Sequence, residues 1–326
     1  MKRRVICAVL SATMASSLLV AGGTTALAEE DKTEITVWSW DATVEAAIPA
    51  FEEANPDITV KFENVGSASE QYRAIDNALQ AGTGFPDVAQ FEYFAVPYFA
   101  VAQKLADLSA LGAGDYAADY VEAAWNDVHF NDTLYALPLD YGPVVMFYNQ
   151  DTFEKAGIAE APKTWDEYYE AAKKVRALGD DYYISNASGD IFLILSMIWQ
   201  AGGTPFSTDG ANVKIDFSDE NTQNVLAFWQ KMIDEDLITN DITNWSDDWN
   251  RALNDGTLAT QVIGGWMTAN LPPRAPDAAG NFRVAAMPQW NEGENYSAEN
   301  GGSTLAILEA SEKKEAAFKF VEYITH

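Results

Sequence analysis

Apolar positions recur every second residue in some stretches of the chain and every third or fourth in others, and the changes of period mark its elements. ITVWSW, residues 35 to 40, is rich in β-branched and aromatic side chains and predicts a strand. TVEAAIPAFEEA follows with helical spacing and stops at Asn55-Pro56. ITVKFENV predicts a second strand, and Ser67 with Glu70 makes a capping-box pattern ahead of a helix over QYRAIDNALQA, which Gly82 ends. DVAQF completes a β-α-β-α-β order. That order implies a parallel, doubly wound sheet, in which ligands bind beyond the carboxyl ends of the strands. The residues so placed are Trp40, Asp41, Glu92 and Tyr93.

Between 128 and 140, VHFNDTLYALPLD predicts a hairpin turning at Asn131-Asp132. Its second arm runs into ALPLDYGPVVMFYN, where two apolar runs meet through Asp-Tyr-Gly-Pro with a further proline just before. Prolines sit badly inside a sheet, and a plain hairpin would favour Asn-Gly or Asp-Gly, so this stretch predicts a crossing between two compact bodies. Beyond it the pattern becomes mostly helical. Thr164 and Glu167 form a capping box for WDEYYEAAKKVRAL; IFLILSMIWQ is apolar all round and predicts a buried helix. SDENTQNVLAFWQKMIDEDL and SDDWNRALND predict further helices, and TLATQVIGG and FRVAAMP predict strands. The proline exit of FRVAAMP suggests a second crossing, and NEGENYSAENGG reads as a polar loop. The final ASEKKEAAFKFVEYIT is amphipathic.

A length of 326 residues favours two domains. Residues 1–28 are a separate matter: a basic start, an apolar run and Ala26-Leu27-Ala28 predict a cleaved secretory leader. Cys7, the sole cysteine, lies inside it, so the mature chain has no thiol for disulfides, nucleophilic catalysis or thiolate ligation. Without the leader, 17 basic residues face 49 acidic ones, a formal charge of −32. Such a charge disfavours nucleic acid and anionic membranes as partners.

No serine-hydrolase elbow, zinc-protease helix, phosphate-binding loop or dinucleotide glycine fingerprint occurs. His129 sits in the predicted hairpin, where a structural role outweighs a catalytic or metal one. Tyr168 and Tyr169 diverge on a helix, which disfavours phenolate ligation of a metal, and nothing calls for a cofactor. Two carboxylates suffice for a glycosidase, and 49 acids leave that open. The 10 Trp, 14 Tyr and 16 Phe are more informative, because Trp40, Tyr141, Trp245, Trp266 and Trp290 stand beside glycine, proline or acids rather than within apolar periods. A sugar presents an apolar C–H face and a rim of hydroxyls. Flat rings with carboxylates or amides match both. Core packing is the competing reading for each ring, and the stronger one for Trp199 and Trp229.

The segments ITVWSWD, AIPAFEEANPDITVKFE, FPDVAQFEYFAVPYFAVAQKLADLS, LYALPLDYGPVVMFYNQDTFEKAGI, PKTWDEYYEAAKKV, LNDGTLATQVIGGWM and GGSTLAIL together resemble the extracellular sugar-binding proteins of bacterial ABC importers, the maltodextrin and multiple-sugar binding family. The resemblance implies a two-lobed, type II periplasmic-binding-protein-like α/β fold, each lobe a doubly wound, mostly parallel sheet with flanking helices. It places lobe 1 at 33–138 with 286–326 returning to it, and lobe 2 at 139–285. A carbohydrate would lie in the cleft between lobes, and the closed form would deliver it to a membrane permease without reaction. A monomer is expected, periplasmic or at the cell surface. By position, Trp40, Asp41, Glu92 and Tyr93 would line the first lobe, Asp140 and Tyr141 the crossing, and Trp266 a stacking platform. Gly302 would let backbone approach the ligand, and Trp245 with Asp248 would add to the second lobe. A secreted carbohydrate-active enzyme with a carboxylate pair, or a binder of peptide, metal or polyamine, is the alternative. The sequence departs from the family in having Gly22-Gly23 where a lipid-bearing cysteine falls in many members, which argues against a lipid anchor. It also ends at the FVEYIT helix, where members usually continue, so a C-terminal segment of the family is expected to be missing.

Overall fold

The computed structural model describes residues 32–130, 132–209 and 212–326. The expected leader and the expected turn residue Asn131 lie outside them.

Strands β1 (Thr33–Trp38), β2 (Ile58–Glu63) and β3 (Val88–Glu92) form where the alternation predicts them, joined by helices Ala42–Ala54 and Ser69–Ala81. β1 lies between the other two and parallel to both. The Asp41 carboxylate caps the first helix, accepting from the Thr43 backbone N–H at 2.7 Å. The second helix ends at Gly82 in the left-handed conformation, φ 70°, which costs glycine little. A short hairpin, β4 (His129–Phe130) with β5 (Thr133–Leu134), then leads into β6 (Leu137–Asn149).

Beyond β6, β7 (Ser185–Ser188) pairs in parallel with β10 (Ile238–Thr243), and β8 (Phe206–Asp209) with β9 (Asn212–Ile215) forms an outlying hairpin. β11 (Thr260–Gly264) and β12 (Phe282–Ala286) flank the outer half of β6, both antiparallel to it. β13 (Glu299–Ile307) runs antiparallel between β6 and β3. The principal sheet has the order β11-β6-β13-β3-β1-β2, with β12 also on β6. Its antiparallel pairings all involve β6 or β13.

Two bodies hang on those two strands. Ile35, Val37, Phe51, Ile75, Phe91 and Phe99 build one core, closed by Leu305 to Leu308 and by Phe320 and Val321 of the last helix. Val144, Met146, Trp165, Tyr168, Ile198 and Trp229 build the other, with Phe147, Trp249 and Leu271 in an adjoining cluster. β6 leaves the first core at Leu137 and enters the second at Val144, and β13 makes the return.

The return differs from the sequence expectation. Met287, Trp290 and Ala298 still pack against the second core, so the crossing is not made at the proline exit of β12. It begins at Glu299, and the last four residues of the expected polar loop are the first four of β13. Glycines read as loop because they weaken strands, but here the strands approach too closely for side chains. A Cβ at Gly142 would run into the Asn300 carbonyl. Gly302 has φ +97°, and a Cβ there would lie 2.9 Å from the Asp140 carbonyl oxygen. The register slips twice in this stretch, between Glu299 and Gly302 and between Ser303 and Thr304.

The all-apolar helix is also only half as expected. Leu195, Met197 and Ile198 are buried, whereas Trp199 keeps 40% of its surface exposed and Ile191, just ahead of the helix, keeps 65%. Trp290 turns out to be a core ring, 5.7 Å from Trp165 and 5.5 Å from Phe228. His129 bonds the Trp125 carbonyl at 2.7 Å, a structural contact.

Gly142→Ala is expected to destabilise the protein by about 1–3 kcal/mol, since the added methyl group forces the crossing strands apart. A denaturant midpoint equal to that of the parent protein would show that the strands tolerate a wider spacing.

Candidate functional site

The first lobe presents its polar groups at the carboxyl ends of parallel strands. Gln90 on β3 organises them: its Oε1 accepts from the Ser39 hydroxyl at 2.7 Å and from the Trp40 backbone N–H at 3.1 Å. Its Nε2 donates to the Ser303 hydroxyl at 2.7 Å, and that hydroxyl donates to the Asp140 carboxylate. The buried relay thus fixes the loop after β1, the end of β3 and both crossing strands to one another. Glu92, Ser303 and Asp140 lie opposite one another on three adjacent strands, so their side chains share a face. The serine separates the two carboxylates.

Aromatic rings close in around them. The Tyr72 hydroxyl accepts from the Glu92 backbone N–H at 2.9 Å and donates to its carboxylate at 3.2 Å, and Trp40 stands edge-on to Tyr72 at 6.4 Å. Tyr93 donates to the Asp140 carbonyl at 3.0 Å and meets Tyr141 edge-on at 5.6 Å. Both carboxyls of the rung are shifted toward the protonated form. Burial raises the Glu92 pKa, opposed by the Tyr72 hydroxyl and aided by the Asp140 charge. Burial also raises Asp140, opposed by its bonds to Ser303 and aided by Asp41. The Asp140 side chain nonetheless presents surface to solvent. Burial raises Asp127 as well. Glu299, at the start of β13, is pushed up to about 7 by burial first and then by the charges of Asp127 and Asp140.

The second lobe answers with loops from the ends of β7, β10 and β11. Gly189 and Asp190 follow β7, Asn244 and Trp245 follow β10, and Trp266 follows β11. Trp245 holds a left-handed backbone, φ +70°, an uncommon state for a bulky residue and one that clusters at functional positions. Its ring stacks on Trp266 at 5.8 Å and 24°, and the Arg274 guanidinium lies 4.8 Å from its centroid. Trp266 donates from Nε1 to the Asn300 carbonyl at 2.7 Å, which fixes the platform to the return strand beside Glu299. Asn186 bonds Asn244 and the Ile242 carbonyl, linking the ends of β7 and β10.

Trp40, Asp41, Glu92, Tyr93, Asp140, Tyr141 and Gly302 therefore converge from the first lobe and the crossing, and Trp245 and Trp266 form a pair on the second. Asp248 is not brought to them. It lies exposed on the helix Asp247–Asp255 and pairs with Arg251 on the same helix. Sequence reading missed Asp127, Asp190 and Glu299. Glu299 precedes two glycines and Asp190 follows one, which is a weak signal; Asp127 carries none. Among the described residues no three His, Cys, Asp or Glu side chains converge as a metal would require. A surface depression of about 550 Å³ lies elsewhere, between residues 158–163 and the helix Trp165–Arg176, and contains no candidate residue.

Two α/β bodies tied by antiparallel crossing strands, with rings and carboxyls gathered where they meet, define a cleft-binding protein of the type II periplasmic kind. The chain belongs to the bacterial extracellular solute-binding protein family, whose model matches residues 38–326. It is 27% identical over 99% of its length to the arabinooligosaccharide-binding protein of Bacillus subtilis, 76% of which is covered. It is likewise 27% identical to the lactose-binding protein of Rhizobium radiobacter, over 89% of this chain and 70% of that one. Among solved structures, the ABC transporter associated binding protein from B. animalis subsp. lactis in complex with beta-1,6-galactobiose has a TM-score of 0.80 and 45% identity, over 90% of this chain and 72% of that one. No helix among the described residues is long and apolar enough to cross a membrane.

Because Glu299 keeps its proton up to about 7 in the folded state against an ordinary value of 4.5, the native form binds more protons across that window. Stability is then fully present below it and declines as pH rises through it. Glu299→Gln is expected to flatten this part of the pH–stability profile, as read by thermal unfolding at a series of pH values. A slope identical to the parent's would place the Glu299 carboxyl in ordinary solvent.

Proposed function

We propose that this protein is the exported carbohydrate-recognition component of a bacterial ABC importer, working as a monomer after loss of residues 1–28 and releasing its sugar unaltered. The observation that carries the reading is the Trp245–Trp266 platform, tied by Trp266 to a return strand that also carries Glu299 and neighbours Asp140. Apolar ring faces and dehydrated acceptors then lie within reach of one ligand. A pyranose stacks its C–H face on the platform while its hydroxyls donate to Asp140, Glu92 and Glu299. A carboxyl that retains its proton also donates, so the floor serves ring and hydroxyl oxygens as well. Closure around the sugar draws the lobes into a shape that a permease distinguishes from the open one. Family membership supports this assignment, as do the sugars named for the relatives.

One observation favours a second reading. Glu299, with a pKa near 7 and other carboxyls close by, has the character of a general acid, as in enzymes that cleave glycosidic bonds. Product analysis separates the two. Under the binding reading, an oligosaccharide panel incubated with the protein returns intact while at least one member raises the unfolding temperature; shortened products would establish hydrolysis.

Trp266→Ala is expected to weaken the best ligand of that panel by about 1–3 kcal/mol in calorimetry, through loss of a stacking surface. Undiminished affinity in a folded variant would remove Trp266 from the site.

A further inference from the structure

Phe94 and Phe192 stand on opposite lobes and touch. Phe94 follows Glu92 and Tyr93 in the single 3-10 turn Tyr93–Ala95, and Phe192 opens the helix Phe192–Gln200 two residues after Asp190. Their ring centroids are 5.9 Å apart at 34°. Phe94 is 58% exposed, so it is displayed at a rim rather than packed in a core. Both rings are firmly based. The Asp190 carboxylate accepts from the Phe192 backbone N–H at 2.8 Å, and Tyr93, beside Phe94, is bonded to the crossing strand at 3.0 Å. The ion pairs found among the described residues each stay within one lobe. The lobes therefore meet here through apolar rings without charge pairing.

We infer that Phe94 and Phe192 form a gate across one end of the cleft that sets the length of saccharide the protein takes. The inference rests on the carbohydrate reading above and deepens it. A sugar ring held between two aromatic faces needs roughly 7–8 Å between them, twice the optimal carbon–carbon separation of about 3.5–4.0 Å. The observed spacing is too small for a sugar unit to pass. A ligand that ends between the tryptophan platform and the Glu92–Asp140 floor leaves the gate shut. A longer one, extending past Glu92 and Asp190, must hold the rings apart and forgo their contact, a loss of roughly two- to tenfold in affinity, with further loss from incomplete closure.

The test is calorimetric titration of the full chain with a disaccharide, trisaccharide and tetrasaccharide of one linkage, chosen by a glycan screen and including the β-1,6-galactose series. The parent protein is expected to bind the disaccharide at least about tenfold more tightly than the tetrasaccharide. Phe94→Ala and Phe192→Ala are each expected to bring that ratio within about threefold, and Phe94→Leu, which retains bulk, is expected to preserve it. The exposure of Phe94 lets its variants fold, which circular dichroism checks. Equal affinity of the parent for all three lengths, or alanine variants that weaken all lengths by one factor, would overturn the gate while leaving the carbohydrate reading standing. No binding to any sugar in the screen sinks both.

Discussion

The close antiparallel contact of β6 with β13 is the constraint on which the rest of the molecule depends. β6 contributes to both cores, and β13 runs beside it from Ala298, packed on the second core, to Leu305 and Ile307 in the first, so the lobes are joined by backbone hydrogen bonds and not by a flexible linker. The contact requires the absence of a side chain at Gly142 and the unusual backbone of Gly302. Two register slips within the six residues Glu299 to Thr304 show where the ladder yields. A ladder interrupted at one point concentrates bending there, and the candidate site lies at that point. Asp140 and Tyr141 on one strand, and Glu299 to Ser303 on the other, sit where the ladder is irregular and belong to the proposed site.

That placement has an electrostatic consequence. Burial raises the pKa of Glu92, Asp127, Asp140 and Glu299, although Asp127 and Asp140 still present surface to solvent, and none of the four has a cation partner among the described ion pairs. Drawing the lobes together dehydrates them further, which opposes closure unless a ligand supplies hydrogen bonds in place of water. On the proposed carbohydrate reading, a bound sugar would relieve that opposition, which is the differential affinity that a ligand-driven population shift requires. Aromatic contacts act in the other direction. Phe94 against Phe192 supplies attraction between the lobes that does not depend on protonation.

Parts of this arrangement were legible in the residues. The period-two runs gave β1 to β3, the cap at Thr164 and the glycine stop at Gly82 gave helix ends, and the double-proline stretch gave the first crossing. The expected cap at Ser67 is not made, since that helix starts at Ser69 with no side-chain cap, and the cap at Asp41 was not foreseen. The second crossing was illegible for a local reason: Glu299-Asn300-Gly301-Gly302 has the composition of a loop, and its partner strand is more than 150 residues away in sequence. Asp248 shows the opposite failure. Resemblance to the family placed it with Trp245, but the intervening helix start directs it along the helix surface, where Arg251 takes it.

By itself the sequence determined which residue types were available and which local elements they favour, because capping, periodicity and turn chemistry act over a few residues. Its resemblance to a sugar-binding family fixed the expected two-lobed plan. Only the tertiary structure decided which carboxyls stand together, which tryptophans pair at the end of β11 and which fill a core, and where the lobes touch. Those outcomes depend on burial and on distances between residues far apart in the chain, and neither quantity exists until the strands have paired.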